Sequence, residues 1–375
     1  MIFKNGDHSK LPDSKEIGRV LSMLQSQAPV QHLMPLDRVV DDDEAYILTR
    51  LSNGRCSIKP NITHQGLLYY GNSNYDSLST VFRPSYYRAK GKDSTSVHDD
   101  FLEYNVLAEQ FRLLIESFPL YELLNTGIEI DSRFSGRVGN PAGLASAYGL
   151  RLPFVNMTSD IDVAMFYATH YYDKKSESFK PEEEGTVGIV YVYSLTMPFG
   201  ITSGLSTLGK QVFPRTFYNR QFMYAMQIGD DFNKNRFVNG FTFRQTSAGS
   251  KFYGKMFENG ELLVPKSDFL MTKWKSLENK IFRDAIRNNL RTNPKDDEET
   301  NCKALESRDF VIVDGKPVFT YEDIFALDLM EIWNIVCDEL VSGVHCKCDV
   351  VDYLEQVPFM DRYKRYFNAS LYYER

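Results

Sequence analysis

Residues 142–169 read AGLASAYGLRLPFVNMTSDIDVAMFYAT, and this stretch joins an extended segment to a helix through a run of small polar side chains. The apolar segment Leu152 to Val155 predicts a strand, and Asn156, Thr158 and Ser159 form the turn that follows it. Ser159 with Asp162 three residues later has the spacing of a capping box, which predicts a helix over Val163 to His170. Free backbone N–H groups and hydroxyls would then converge on one spot, an arrangement that suits a phosphate-bearing or otherwise polar ligand. The same residues also satisfy a plain strand–helix turn with no ligand.

Composition bounds what surrounds this junction. A chain of 375 residues with 43% hydrophobic content can bury a sizeable core, and its length suggests two or three structural units. No run of eighteen apolar residues occurs, and the opening MIFKNGDHSKLPDSKEIGRV lacks the pattern of a secretory signal, so a cytoplasmic protein with no membrane association is expected. A net charge of -7 argues against broad polyanion binding but leaves room for a local basic face. The five cysteines, Cys56, Cys302, Cys337, Cys346 and Cys348, are odd in number and scattered, which predicts reduced thiols. His345, Cys346 and Cys348 lack a second ligand pair at metal spacing, and no metal site is expected. The 23 Tyr and 26 Phe are expected chiefly in the core, although tyrosine also lines ligand pockets.

Along the chain, residues 1–60 read as a leader region with one helix, Ser14 to Gln27, ending before Pro29, and an acidic turn Asp41 to Glu44. Residues 62–71 predict a strand ending at Gly71. Apolar residues at three- and four-residue steps from Phe101 to Phe118 predict a helix starting at Asp99 or Asp100. Lys174 to Gly185 reads as a charged loop, and Thr186 to Ser194 as a buried central strand. Near Phe257 to Pro265, Glu261 falls at the mouth of an apolar strand, where a carboxylate serves either as a catalytic base or as an ordinary solvent-facing residue.

Residues 276–375 are expected to form a mostly helical region. Leu277 to Leu290 predicts an amphipathic helix on which Lys280, Arg283, Arg287 and Arg291 share one face, either a docking surface or a solvated stripe. Asp314-Gly315 between two β-rich runs, within Phe310 to Phe319, is a hairpin signal. Thr320 with Asp323 predicts a capped helix carrying Ile324, Leu327, Met330, Trp333 and Cys337.

The order of features resembles the FRG domain. The matching pieces are Tyr69-Tyr70-Gly71-Asn72, Leu78 to Arg83, and Tyr148-Gly149-Leu150 through Asn156-Met157-Thr158 to Ala164-Met165-Phe166-Tyr167-Ala168. The chain departs from that pattern where Tyr70 replaces an arginine, Asn156 an aspartate and Met157 a tryptophan. The layout is also similar to that of ADP-ribosyltransferases, in which a first-strand residue and a hydroxyl-rich strand bind NAD and a late glutamate acts in catalysis. The resemblance implies an α+β fold, an ADP-ribosyltransferase-like core of mixed β-sheet with flanking helices over residues 61–275, and NAD as cofactor. It assigns Tyr70, Gly71, Asn72, Thr158 and Ser159 to NAD, with Arg83 or Arg88 on the pyrophosphate, and Glu261 to catalysis. Such a carboxylate would stabilise the positive charge that develops on ribose as the nicotinamide bond breaks.

Two function classes stay open. One is an NAD-dependent mono-ADP-ribosyltransferase, a toxin or anti-phage defence effector that modifies a nucleic acid or protein and is restrained by a neutralising antitoxin or other protein partner. The other is a catalytically inactive FRG-type binding module that engages a protein or nucleic-acid partner.

Overall fold

The computed structural model describes residues 10–28, 38–39, 46–50, 56–60, 66–75, 82–87, 94–121, 128–131, 134–136, 141–194, 205–208, 212–216, 221–292, 294, 297–329 and 332. The acidic turn 41–44, residues 78–81, Arg88, Met330, Trp333, Cys337 and the His345–Cys348 cluster lie outside them. The described chain is α+β, and none of its helices is long and apolar enough to cross a membrane.

The main sheet is built from β1 (Leu67–Asn72), β2 (Phe154–Thr158), β3 (Val187–Ser194), β4 (Leu205–Thr207), β5 (Gln221–Ala225) and β6 (Val238–Arg244), in the spatial order β4-β5-β2-β1-β3-β6. Its pairings are antiparallel, where a mixed sheet was expected. The reason is topological: β2 and β3 run parallel to each other, as a strand–helix–strand crossover requires, but β1 lies between them and opposes both. A second sheet takes Arg38–Val39, Tyr46–Arg50 and Cys56–Pro60 from the expected leader, together with Ile128–Asp131 and Phe134–Gly136.

The helices in chain order are α1 (Ser14–Gln27), α2 (Ser94–Glu116), α3 (Pro141–Ala147), α4 (Ile161–Thr169), α5 (Ser247–Met256), α6 (Phe269–Lys275), α7 (Arg283–Thr292), α8 (Glu298–Glu306) and α9 (Tyr321–Phe325). Helix α1 has the expected bounds and starts at a capping box in which Asp13 and Glu16 each accept the other's backbone N–H. It belongs to the core: Ile17 and Leu21 are buried, and the Arg244 N–H donates to the Pro12 carbonyl at 2.9 Å. Helix α2 begins at Ser94, five residues before the earliest expected start, since Ser-Thr-Ser-Val-His holds no proline or glycine to stop it.

Strand alternation divides the core into two faces. Leu67, Tyr69, Val190, Val192 and Phe243 pack on the back face with α1, α4 and α5. Leu68, Tyr70, Met157, Ile189, Tyr191, Tyr193 and Phe222 pack on the front face with Phe82, Met226 and Phe232. The expected charged loop after α4 contains a hairpin, His170–Asp173 against Ser178–Pro181, while Val187–Ser194 is the buried strand anticipated.

Two C-terminal expectations fail for tertiary reasons. The helix expected over 277–290 splits: Lys280–Phe282 is a strand paired in parallel with Val311–Val313, and helix begins only at Arg283. Gln110 on α2 caps the free edge of that strand, its amide donating to the Lys280 carbonyl at 2.9 Å and its carbonyl accepting the Phe282 N–H at 3.0 Å. Val311–Val313 thereby takes a partner other than 316–319, so Asp314-Gly315 turns the chain without making a hairpin. The capping box at Thr320 and Asp323 forms as expected and starts α9.

Candidate functional site

The strand–helix junction differs in detail from its sequence reading. β2 runs on through Thr158, so Asn156 and Thr158 are strand residues, and the helix cap is Asp160 where Ser159 was expected. Asp160 Oδ1 accepts the N–H groups of Asp162 at 2.9 Å and Val163 at 3.3 Å, and Thr158 Oγ1 accepts the Asp160 N–H at 3.0 Å. Donors expected to hold a ligand are thus used by the chain itself. Asp162 adds a second carboxylate in the first turn, and burial, then the neighbouring Asp160, push its carboxyl above the usual range. A pyrophosphate here would meet two acidic side chains, which opposes the favourable end of the helix dipole. Asn156 ties β2 to α3: its carbonyl accepts the Ser146 hydroxyl at 2.7 Å and its amide donates to the Ser146 carbonyl at 3.3 Å.

On β1 the three expected NAD residues do not share a face. Tyr69 stands opposite Thr158, and directly opposed residues in an antiparallel pair project to the same side. Thr158 therefore points to the back face with Tyr69 and Gly71, whereas Tyr70 and Asn72 point to the front. Gly71 has a packing role in place of a cofactor-cradling one: a Cβ there would come within 1.8 Å of the Ala164 carbonyl oxygen, because α4 crosses β1 at this point. The Tyr70 ring stacks on Phe82 with centroids 4.9 Å apart and lies 6.3 Å from Tyr191. The Asn72 amide is 3.4 Å from the Tyr70 hydroxyl, and Asn72 Oδ1 accepts the Asn74 N–H at 2.8 Å. Arg83 is half-buried and follows Phe82, whose N–H donates to Asp231 Oδ1 at 3.0 Å.

Glu261 does not lie on a strand. Glu258, Asn259 and Gly260 have φ of 51°, 56° and 98°, a left-handed run that no strand accommodates, and Glu261 sits in the turn that follows α5. Its carboxylate accepts the Lys266 N–H at 2.5 Å and lies 3.5 Å from Lys266 Nζ. This turn is on the back side, where Gly260 packs against Phe166 of α4 and Phe179 of the hairpin. Tyr70 and Asn72 are accordingly brought together on the front, Gly71, Thr158 and the buried Ser159 gather around α4, and Glu261 engages Lys266.

Three polar groups escaped the sequence reading. Tyr69, fully buried opposite Thr158, has a phenol oxygen with no hydrogen-bond partner among the described residues. Asp268, almost wholly buried, accepts the Tyr148 hydroxyl at 3.1 Å, the Arg215 Nε–H at 3.1 Å and the Met271 N–H at 3.0 Å, while the Arg215 guanidinium lies 4.9 Å from the Tyr148 ring centroid. Burial raises the Asp268 carboxyl despite these contacts and holds the Tyr148 phenol well above its usual range. His170 stacks on Phe166 at 4.4 Å with Nδ1 3.2 Å from the Phe166 carbonyl, and burial lowers its imidazole below the ordinary value. Only the strand-end register could have disclosed Tyr69, and the other two clusters join residues distant in sequence.

Two of the four cations of the C-terminal basic stripe are neutralised within the chain. Arg283 pairs with Asp314 at 2.8 Å and Glu298 at 3.3 Å, and Arg287 pairs with Glu298 at 2.9 Å and Asp284 at 3.3 Å. Lys280 belongs to the strand before the helix, so the four cations do not form one helical face. Compared with known protein families, with characterised proteins and with solved structures, the chain matches none.

Proposed function

We propose that this chain is a divergent FRG-type module that works by binding a macromolecular partner and does not turn over NAD. The observation that carries this reading is the separation of the cofactor positions: Tyr70 and Thr158 project from opposite faces of one sheet, with Gly71 sealed beneath α4. A transferase needs its carboxylate within reach of the ribose and its orienting hydroxyls on the same side. Here the acidic cap of α4 disfavours a pyrophosphate, and the Glu261 carboxylate serves its own turn through Lys266. The ADP-ribosyltransferase-like fold is retained in this proposal as an ancestry for the scaffold, supported by a short helix laid across the first strand directly after the Tyr148-to-Thr158 segment.

The transferase reading has one feature in its favour. Tyr69 and Thr158 are opposed on the back face, two polar side chains on the strands where the resemblance puts NAD, and the Tyr69 phenol has no hydrogen-bond partner among the described residues. Incubation of the purified chain with labelled NAD and cell lysate separates the two readings. No label transfer is expected from the native protein. Transfer by the native chain that disappears in Glu261→Ala would overturn the module assignment.

A further inference from the structure

We propose that the outer surface shared by α1 and α5 binds single-stranded nucleic acid, with phosphates held by Lys15, Arg19, Lys251 and Lys255 and a base stacked on Phe252. This gives the binding module inferred above a partner and a location, and it rests on that reading.

The surface is preformed because the two helices are locked at close range. A Cβ at Gly18 would come within 2.2 Å of the Tyr253 hydroxyl, and one at Gly249 within 1.7 Å of Ser14 Oγ. With a period of 3.6 residues, α5 turns Gly249, Ser250, Tyr253 and Gly254 inward, which leaves Lys251, Phe252, Lys255 and Met256 outward. Helix α1 buries Ser14, Ile17, Gly18 and Leu21 and presents Lys15 beside α5, with exposed Arg19 one turn further along the same side of the helix. Lys15 Nζ lies 5.4 Å from the Phe252 ring centroid, so the two flanks are contiguous.

Cations without an ion pair cluster on this strip. Elsewhere Arg112, Lys180, Arg215, Lys273, Lys275, Arg283, Arg287 and Arg308 each pair with a carboxylate. Lys15, Arg19, Lys251 and Lys255 have no ion-pair partner among the described residues. Exposed Lys10 and Arg244 extend the strip, since the Arg244 N–H bonds to Pro12 at the start of α1. The nearest carboxylates on α1, Asp13 and Glu16, are engaged in the capping box. A chain of net charge -7 thus carries a local positive surface, the condition for a polyanion to dock in one place.

Phe252 is 47% exposed in the middle of these cations, and an exposed ring flanked by Lys and Arg suits a base whose backbone runs along the charges. A bilayer fits less well. Met23 and Met256 are exposed near the cations, but the exposed apolar residues Val20 and Leu24 lie roughly 140° and 180° around α1 from Lys15 at 100° per residue, so a flat membrane seated on the basic flank leaves these two in water.

The test is fluorescence anisotropy of a labelled oligothymidylate with the full chain between about 50 and about 200 mM salt. Binding that weakens steeply with salt is expected. Lys15→Glu with Lys255→Glu should lower affinity at least about tenfold and flatten the logarithmic salt slope by about 1.4, the value for two single-strand phosphate contacts. Phe252→Ala should lower affinity about five- to a hundredfold with the slope unchanged, and Phe252→Trp should retain binding. These positions are exposed or, for Lys15, half-buried, and an unfolding midpoint equal to the native one verifies that each variant is folded. The proposal is overturned if the native chain does not bind the oligonucleotide at low salt, if Lys280→Glu with Arg291→Glu weakens binding equally, or if the chain associates with phosphatidylserine vesicles and not with the oligonucleotide. NAD label transfer is read in parallel. No transfer with no oligonucleotide binding sinks this inference and leaves the module reading, whereas transfer with binding on the strip does the reverse.

Discussion

Replacing Gly71 by alanine distinguishes a packing glycine from a cofactor cradle. The added Cβ would lie 1.8 Å from the Ala164 carbonyl oxygen, 2.8 Å from its carbonyl carbon and 3.0 Å from the Ala168 nitrogen. All three are backbone atoms of α4, so no side-chain rotation relieves the overlap, and the middle of the helix must retreat by about 1 Å or more to restore contact distances. Ala164, Phe166 and Ala168 are buried in the back-face core, and a shift of α4 disturbs all of them. Overpacking of this kind costs about 1–3 kcal/mol, and a backbone obstacle places Gly71→Ala near about 3 kcal/mol. At about 2 °C per kcal/mol for a chain of this size, the melting temperature should fall by roughly 6 °C. Urea unfolding should show a lower midpoint at unchanged slope. Gly149→Ala is the control, because its φ of 84° carries strain but nothing lies within 4 Å of the new Cβ, and about 1 kcal/mol is expected. A Gly71→Ala protein that melts within about 1 °C of the native one would refute the packing argument, given that about 3 kcal/mol is expected. If that protein also lost measurable NAD binding, the cradle role would return.

Other perturbations test the remaining clusters. Because burial lowers the His170 imidazole in the folded state, its contribution to stability is complete above its unfolded value of 6.5 and is lost as pH falls through the folded value, so melting should drop on acidification and do so less steeply in His170→Gln. An identical pH profile in both proteins removes His170 as the cause. Asp268→Ala takes the carboxylate from Arg215 and should destabilise by about 3–5 kcal/mol, while Tyr148→Phe removes one charge-assisted hydrogen bond and should cost about 1.5 kcal/mol, both by urea titration. Equal losses would show that the network is not centred on Asp268. Glu261→Gln should alter stability by less than about 1 kcal/mol, since its pair with Lys266 is partly exposed. A larger loss by the same titration would make Glu261 a structural anchor.

Local patterns in the sequence were enough for α1, for the capping box of α9, for the buried strand Val187–Ser194 and for a strand–helix unit between 152 and 170. These elements are set by hydrophobic period and by cap side chains that act within four residues of themselves. The same patterns placed the cap of α4 one residue early, because Ser159 and Asp160 are both competent caps and only the extent of β2 chooses between them. They also set a helix across 277–282, where Gln110, some 170 residues away, holds an extended segment. A strand predicted around Glu261 gave way to a left-handed turn that packs on Phe166 and Phe179.

What the sequence determined by itself is the inventory: an α+β chain with its helices, its buried strands and its surplus of aromatic core residues. Tertiary structure alone decided which side chains meet. Sheet register put Tyr69, and not Tyr70, beside Thr158, and a register set by long-range pairing assigns every residue of a strand to one face or the other. Ion pairing across segments neutralised Arg283 and Arg287 and left the cations of α1 and α5 without an ion-pair partner among the described residues. Charge and hydroxyl chemistry can be read from a chain, but the distance over which they act is fixed only when the chain closes on itself.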